Sequence, residues 1–127
     1  MRMLLLPLFA AGCAATASDV AGRDQLALAA ELEGRAAGKA QACVPARQTE
    51  ALQIVDRQTI VYRDFDTVYV NRLDGPCPGL RPHITLVVEA HGSQFCRGDR
   101  VRAMDSSNAI PGPSCLLRDF IPYRKDR

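Results

Sequence analysis

The hydrophobic residues beyond Pro45 form short runs that are rich in Val, Ile, Tyr and Phe and are separated by turn residues. Such runs predict β-strands, here over 52–55, 59–63, 67–73, 84–89, 94–96, 101–105 and 115–121. In one run Ile84, Leu86 and Val88 alternate with other residues, which predicts that they share one face of a strand. Several short strands at this spacing favour a mainly β fold, a small antiparallel barrel or sandwich.

The pattern before Pro45 is helical. Residues 18–42 are rich in Ala, Leu, Glu and Gln, which are good helix formers. They include a candidate N-cap, an apolar pair one turn apart and a candidate i,i+4 ion pair, namely Asp24, Leu28 with Leu32, and Glu31 with Arg35. Because the apolar stripe is narrow, we predict a short N-terminal helix that serves as a spacer.

The first residues of the chain have the character of an export signal. Arg2 supplies a positive charge, and an apolar stretch follows over 4–11. That stretch is under half of the roughly 20 residues that a helix needs to span a bilayer. It fits the apolar core of a secretory signal, so we predict a signal peptide over 1–12.

The next residues, Ala10-Ala11-Gly12-Cys13, resemble the lipobox of bacterial lipoproteins, in which small residues precede a cysteine that receives lipid on its sulfur. This resemblance implies a lipid on Cys13 that binds the protein to a membrane. Ala10 stands where the motif prefers Leu, so ordinary cleavage at Ala15-Thr16-Ala17, giving a secreted or periplasmic protein, is the alternative. Ala14 provides no acidic signal for inner-membrane retention, and we therefore expect an outer-membrane lipoprotein that faces the periplasm.

Four cysteines remain when Cys13 is set aside, and an even set in an exported protein predicts two disulfides. The four are Cys43, Cys77, Cys96 and Cys115. The sequence leaves three pairings open, and we favour the nested one, Cys77 with Cys96 and Cys43 with Cys115. Metal-site spacing of the C-x₂₋₄-C kind is absent, so we expect no metal and no other cofactor.

Charge and the two histidines limit the candidate chemistry. The net charge is +2, with Arg and Asp interspersed, so the chain has no concentrated basic region to bind nucleic acid. His83 and His91 have no recognisable partner to orient them as a general base, and we predict no catalytic residue. Tyr and Arg are enriched where partners bind. A possible binding face on the sheet is therefore formed by Tyr62, Arg63, Tyr69 and Arg72.

Four segments together resemble a family of small exported bacterial lipoproteins of unknown function. They are Gly34-Arg35-Ala36-Ala37-Gly38 with Cys43, Tyr69-Val70-Asn71 leading to Cys77-Pro78-Gly79-Leu80, Phe95-Cys96-Arg97-Gly98-Asp99, and Gly112-Pro113-Ser114-Cys115 with Phe120-Ile121-Pro122-Tyr123. The resemblance spans about residues 34–123, and its most specific parts are the four cysteines and the Cys-Pro-Gly-Leu turn. It implies the compartment and the fold, and it carries no activity or catalytic residues.

The sequence therefore predicts a signal peptide at 1–12, a lipid-anchor site and helical spacer at 13–42, a disulfide-tied β domain at 43–123 and a charged tail at 124–127. We expect a non-enzymatic binding or structural module in the periplasm, held at the membrane by the lipid on Cys13 and contacting another envelope protein. One alternative is a small periplasmic enzyme or ligand carrier that uses His83 or His91 beside an acidic residue. A second alternative is an inhibitor-type module that blocks an exported enzyme.

Overall fold

The computed structural model describes Pro7 and residues 17–47, 50–104 and 112–125. Cys13, nearly all of the predicted signal peptide and the end of the charged tail lie outside the described residues. Within these residues the secondary structure is one helix, α1 (Ala17–Leu32), followed by strands. These are β1 (Arg35–Ala37), β2 (Cys43–Pro45), β3 (Gln53–Ile54), β4 (Thr59–Asp64), β5 (Thr67–Arg72), β6 (Thr85–Glu89), β7 (Gln94–Cys96), β8 (Arg100–Met104), β9 (Cys115–Leu116) and β10 (Phe120–Lys125).

The strands form three antiparallel sheets. The main sheet has the order β1-β10-β5-β4-β3, the three-stranded sheet has the order β6-β8-β9, and β2 pairs with β7 in a short ladder. The prediction of a mainly β, antiparallel fold with one helix is confirmed. The barrel alternative is wrong, because the two edge strands of the main sheet, β1 and β3, do not pair with each other.

Two adjacent inner strands of the main sheet, β4 and β5, are buried on both faces. Their inner face places Ile60, Tyr62 and Tyr69 in a large core that also contains residues of β2, β8 and the segments between them. Their outer face places Val61, Val68 and Val70 in a second cluster, which includes Leu28 of the helix. Burial on both faces explains why the two strands have nearly continuous apolar runs.

The helix begins upstream of Asp24, so that residue lies in the middle of α1 and the predicted N-cap there is wrong. Leu28 is buried against the main sheet, and Gln25 donates hydrogen bonds to Asp56 and Thr59. The described part of α1 therefore lies along the domain. Among the described residues, no helix is both long and apolar enough to cross a membrane.

The expected framework of two disulfides is confirmed, but the favoured nested pairing is wrong. The bonds are Cys43–Cys96 and Cys77–Cys115. The first joins residues that lie opposite each other in the register of β2 and β7. The second joins the segment after β5 to β9. The chain-entropy model gives each bond about 4 kcal/mol of stabilisation for loops of 53 and 38 residues.

Candidate functional site

The predicted tyrosine–arginine binding face is not a surface of the molecule. Tyr62 and Tyr69 are buried, with 0% and 6% of their area exposed, and their rings lie 6.3 Å apart in the large core. The hydroxyl of Tyr62 donates to the carbonyl of Pro45 at 2.7 Å and accepts the backbone N–H of Arg47 at 3.1 Å. Both tyrosines are therefore structural.

The two arginines lie on the opposite face of the same sheet. Arg63 follows Tyr62 directly, and successive side chains of a strand point to opposite faces. Its guanidinium reaches the carboxylate of Glu31 on α1, while Arg72 contacts Thr59 at 3.4 Å. The expectation that all four side chains share one face was therefore wrong. Residues 62 and 63 are adjacent in one strand, so their spacing in the sequence already places them on opposite faces.

The two histidines lie in different surroundings. The Nδ1 atom of His91 lies 3.4 Å from the Oδ1 atom of Asp99, but the His91 side chain is 87% exposed. Asp99 is buried and its other oxygen accepts the backbone N–H of Cys96 at 2.8 Å, so it holds the turn after β7. His83 is exposed just before β6, with a φ of 68° in the left-handed region. His83 borders a cavity.

That cavity is a groove of about 380 Å³ between α1, residues 52–55 and residues 83–85. Its volume is within the range of about 300–1,000 Å³ that is usual for binding sites. Its apolar residues are Leu28, Leu52, Ile54, Val55 and Ile84, together with Ala27. Its charged and polar residues are Asp24, Glu31, Gln53, Arg63, His83 and Thr85. The groove is thus lined by six apolar and six polar or charged residues.

Two of the charged groups in the groove neutralise each other. The Nε and Nη2 atoms of Arg63 each lie 2.7 Å from one oxygen of Glu31, and its Nη1 atom donates to Gln53. The hydrogen bond from Arg63 lowers the pKa of the Glu31 carboxyl, and the same bond raises the pKa of Arg63. Both groups therefore stay ionised. In the described part of the chain, no group bonds the half-buried carboxylate of Asp24.

The groove lies where two sheet edges meet. β3 is an edge strand of the main sheet, and β6 is an edge strand of the three-stranded sheet. Within the described ranges, no strand pairs with the outer side of either one. β6 begins at Thr85, which lines the groove, and we call the groove together with the adjoining free side of β6 the edge groove.

The hydrogen bonds fix which backbone groups of β6 point to its free side. The carbonyl of Ala103 in β8 accepts the N–H of Gly112 at 2.9 Å, so it points away from β6. Leu86 lies opposite Ala103, and in an antiparallel pair both residues then point away from each other. The N–H and C=O groups of Leu86, and of Val88 two residues later, are consequently available to a further strand.

Residues 17–47, 50–104 and 112–125 contain no cluster of three or more His, Cys, Asp or Glu side chains that could hold a metal ion. Comparison of the chain with protein-family models, curated proteins and solved structures finds no match. The lipoprotein family that residues 34–123 resemble therefore stays a prediction.

Proposed function

We propose that this protein is an exported binding module that receives an extended segment of another envelope protein along the edge groove. The observation that carries the proposal is the free side of β6, whose backbone groups at Leu86 and Val88 match the hydrogen-bonding needs of an added strand. Addition of a strand to an exposed sheet edge is a common mode of peptide recognition, in which the backbone bonds supply affinity and adjacent pockets supply specificity.

The side chains of β6 support this mode of binding. Leu86 and Val88 pack toward the large core, while Val87 lies on the other face and is half-buried. An edge strand with apolar residues on both faces favours association, whereas Lys, Pro or a bulge on the edge would discourage it. The groove beyond Thr85 then provides both apolar and polar contacts for side chains at one end of the bound segment.

Two features support the proposed location, namely the disulfides and the lipobox-like residues that precede Cys13. Disulfides persist in oxidising compartments, and both described disulfides agree with an exported protein. A lipid on Cys13, with the outer membrane as its host, would hold the edge groove close to membrane proteins that face the periplasm. An intact mass of the protein from the membrane fraction tests the anchor, since acylation adds two or three acyl chains to a chain that starts at Cys13.

Site-specific crosslinking tests the binding proposal. Ala27 and Ala29 are exposed alanines of α1, and only Ala27 lines the groove. A photoreactive benzoylphenylalanine at position 27 is expected to crosslink in cells to a defined envelope protein, and the same residue at position 29 is not. Equal products from both positions, or none from position 27, would refute the proposed site.

A matched pair of substitutions at Val87 tests the mode of binding. Val87→Lys places a charge on the edge and is expected to abolish the crosslink from position 27. Val87→Thr keeps a β-branched side chain and is expected to retain the crosslink. If both variants bind equally, the partner does not lie along β6. A partner that proves to be an exported enzyme with lowered activity in the complex would identify the module as an inhibitor.

A ligand carrier is the second candidate, because His83 lines the same groove as Asp24 and Glu31. Catalysis by His83 is less well supported, since no described residue bonds its ring to orient it. A small ligand recovered from the native protein by denaturing extraction, and absent from the variant Ala27→Trp, would favour the carrier over the peptide-binding module.

A further inference from the structure

We infer that the segment bound in the edge groove carries a basic side chain, Lys or Arg, whose charged group lies against Asp24. The inference rests on the proposed function and adds the chemical class of the partner. It depends on the balance of charges in the groove, on the apolar residues that line it and on the partial exposure of Asp24.

The groove has one uncompensated charge among the described residues. Glu31 and Arg63 form a two-bond ion pair, and each supplies the countercharge of the other. Asp24 is the remaining acid of the lining, and no described group donates a hydrogen bond to it. With histidine counted as neutral, the lining thus holds a net negative charge at Asp24.

The position of Asp24 makes this charge accessible to a partner. Asp24 lies one turn before Leu28 on the same face of α1, and both residues line the groove together with Ile54. A low-dielectric wall strengthens the field of a nearby charge in a cleft. Covering Asp24 with an apolar segment would desolvate the carboxylate without compensation, and an acidic segment would repel it.

Lys and Arg satisfy both parts of the groove. Their aliphatic stems can lie along apolar residues while the charged group stays at the rim. A partner segment with a basic residue among apolar or β-branched residues therefore complements the depression, the carboxylate and the free side of β6 together.

Selection of a phage-displayed random dodecapeptide library on the full chain in mild detergent tests the inference. Peptides that bind wild type and Val87→Thr but fail to bind Val87→Lys are assigned to the edge groove. We expect Lys or Arg to be enriched in these peptides. Asp24→Asn is expected to weaken the selected basic peptides about three- to fivefold, the range of a partly exposed ion pair.

Two further variants make the result specific to position 24. Asp66→Asn neutralises an exposed acid in the turn between β4 and β5, outside the groove, and is expected to leave affinity unchanged. Asp24→Lys is expected to shift the selection toward peptides with Asp or Glu. Circular dichroism and the oxidised mass establish that each variant is folded.

The possible failures are distinguishable. Groove-dependent peptides with no preference for Lys or Arg, or with equal affinity for Asp24→Asn and wild type, would overturn the charge inference while leaving the proposed function standing. Failure to obtain any peptide that depends on the edge groove would count against the proposed function and against this inference with it.

Discussion

Removal of the Leu28 side chain tests whether α1 is part of the domain or a separate spacer. Leu28 is 3% exposed and packs in the outer cluster with Val55, Val61, Val68 and Val70. Leu28→Ala deletes apolar volume from this cluster, and such a deletion typically costs about 2–4 kcal/mol when the cavity does not collapse.

The same helix contains a matched control. Leu26 is 73% exposed, so Leu26→Ala removes a side chain of the same chemistry that has little packing to lose. Substitutions of this kind usually stay within about 0.5 kcal/mol. The helix propensity change is identical for the two variants, and the difference between them therefore reports the docking of α1.

Urea unfolding with both disulfides intact measures the two free energies, and amide hydrogen exchange over residues 22–32 measures the local opening of α1. We expect Leu28→Ala to be less stable than Leu26→Ala by at least about 1.5 kcal/mol and to exchange faster in the helix. Equal stabilities, with exchange in the helix equal to wild type in both variants, would show that α1 does not pack on the main sheet. The edge groove would then lose one of its walls.

Three other predictions concern the fold around the site. Asn71 is fully buried, and its side-chain amide donates to the carbonyl of Arg118 at 2.7 Å and accepts the backbone N–H of Arg118 at 2.9 Å. Because Asn71→Ala leaves both backbone groups unpaired, we expect it to lower the free energy of urea unfolding by about 2–4 kcal/mol. A loss of stability smaller than that of Leu26→Ala would contradict this. We expect limited reduction to break Cys43–Cys96 before Cys77–Cys115, because both cysteines of the first bond are partly exposed whereas Cys77 is 0% exposed. Alkylation and mass analysis measure the order, and simultaneous reduction of the two bonds would contradict this expectation. The hydrogen bond from Arg63 lowers the pKa of Glu31 below its ordinary value of 4.5, so its contribution to stability is complete above the pKa of the unfolded chain and is lost as the pH falls through the folded pKa. The difference in unfolding free energy between wild type and Glu31→Gln should therefore disappear over that acid range. A difference that stays constant with pH would refute the assignment.

The central strands were predictable from sequence because burial and local pattern agree there. The runs predicted at 59–63 and 67–73 correspond to β4 and β5, and 94–96 coincides with β7. In each case β-branched or aromatic residues lie between clear turn signals. A two-residue turn, Phe65 and Asp66, separates β4 from β5, and Phe65 has a φ of 55°.

The disulfide pairing could not be read from sequence because it depends on strands without a local signal. β1 and β2 have three residues each and contain Ala, Pro and Cys rather than a periodic pattern. They exist as strands because they pair with β10 and β7. Without β2, nothing in the sequence places Cys43 opposite Cys96.

The run predicted at 115–121 shows a different limit. It is divided between β9 and β10, which belong to different sheets. Between them the chain passes from one sheet to the other, where Asn71 binds the backbone of Arg118 and Leu117 donates to Asp99. The buried residues of the run are Leu117, between the two strands, and Phe120 of β10, whereas Leu116 of β9 is exposed. β10 then continues through Lys125, so the predicted charged tail begins inside a strand.

The proposed function depends on the edges of the sheets, because the described edge strands are protected from pairing with another chain to different degrees. β3 has only two paired residues, and β1 is a three-residue strand that begins with Arg35, whose side chain donates to the backbone of α1. Short edge strands and charged residues discourage unwanted pairing. β6 is longer and presents Leu86, Val87 and Val88. The two disulfides and the doubly buried β4 and β5 lie outside β6, so we expect the domain to be stable with the outer side of β6 unpaired. Of β1, β3 and β6, the strand β6 is therefore the best suited to the proposed addition of a partner strand.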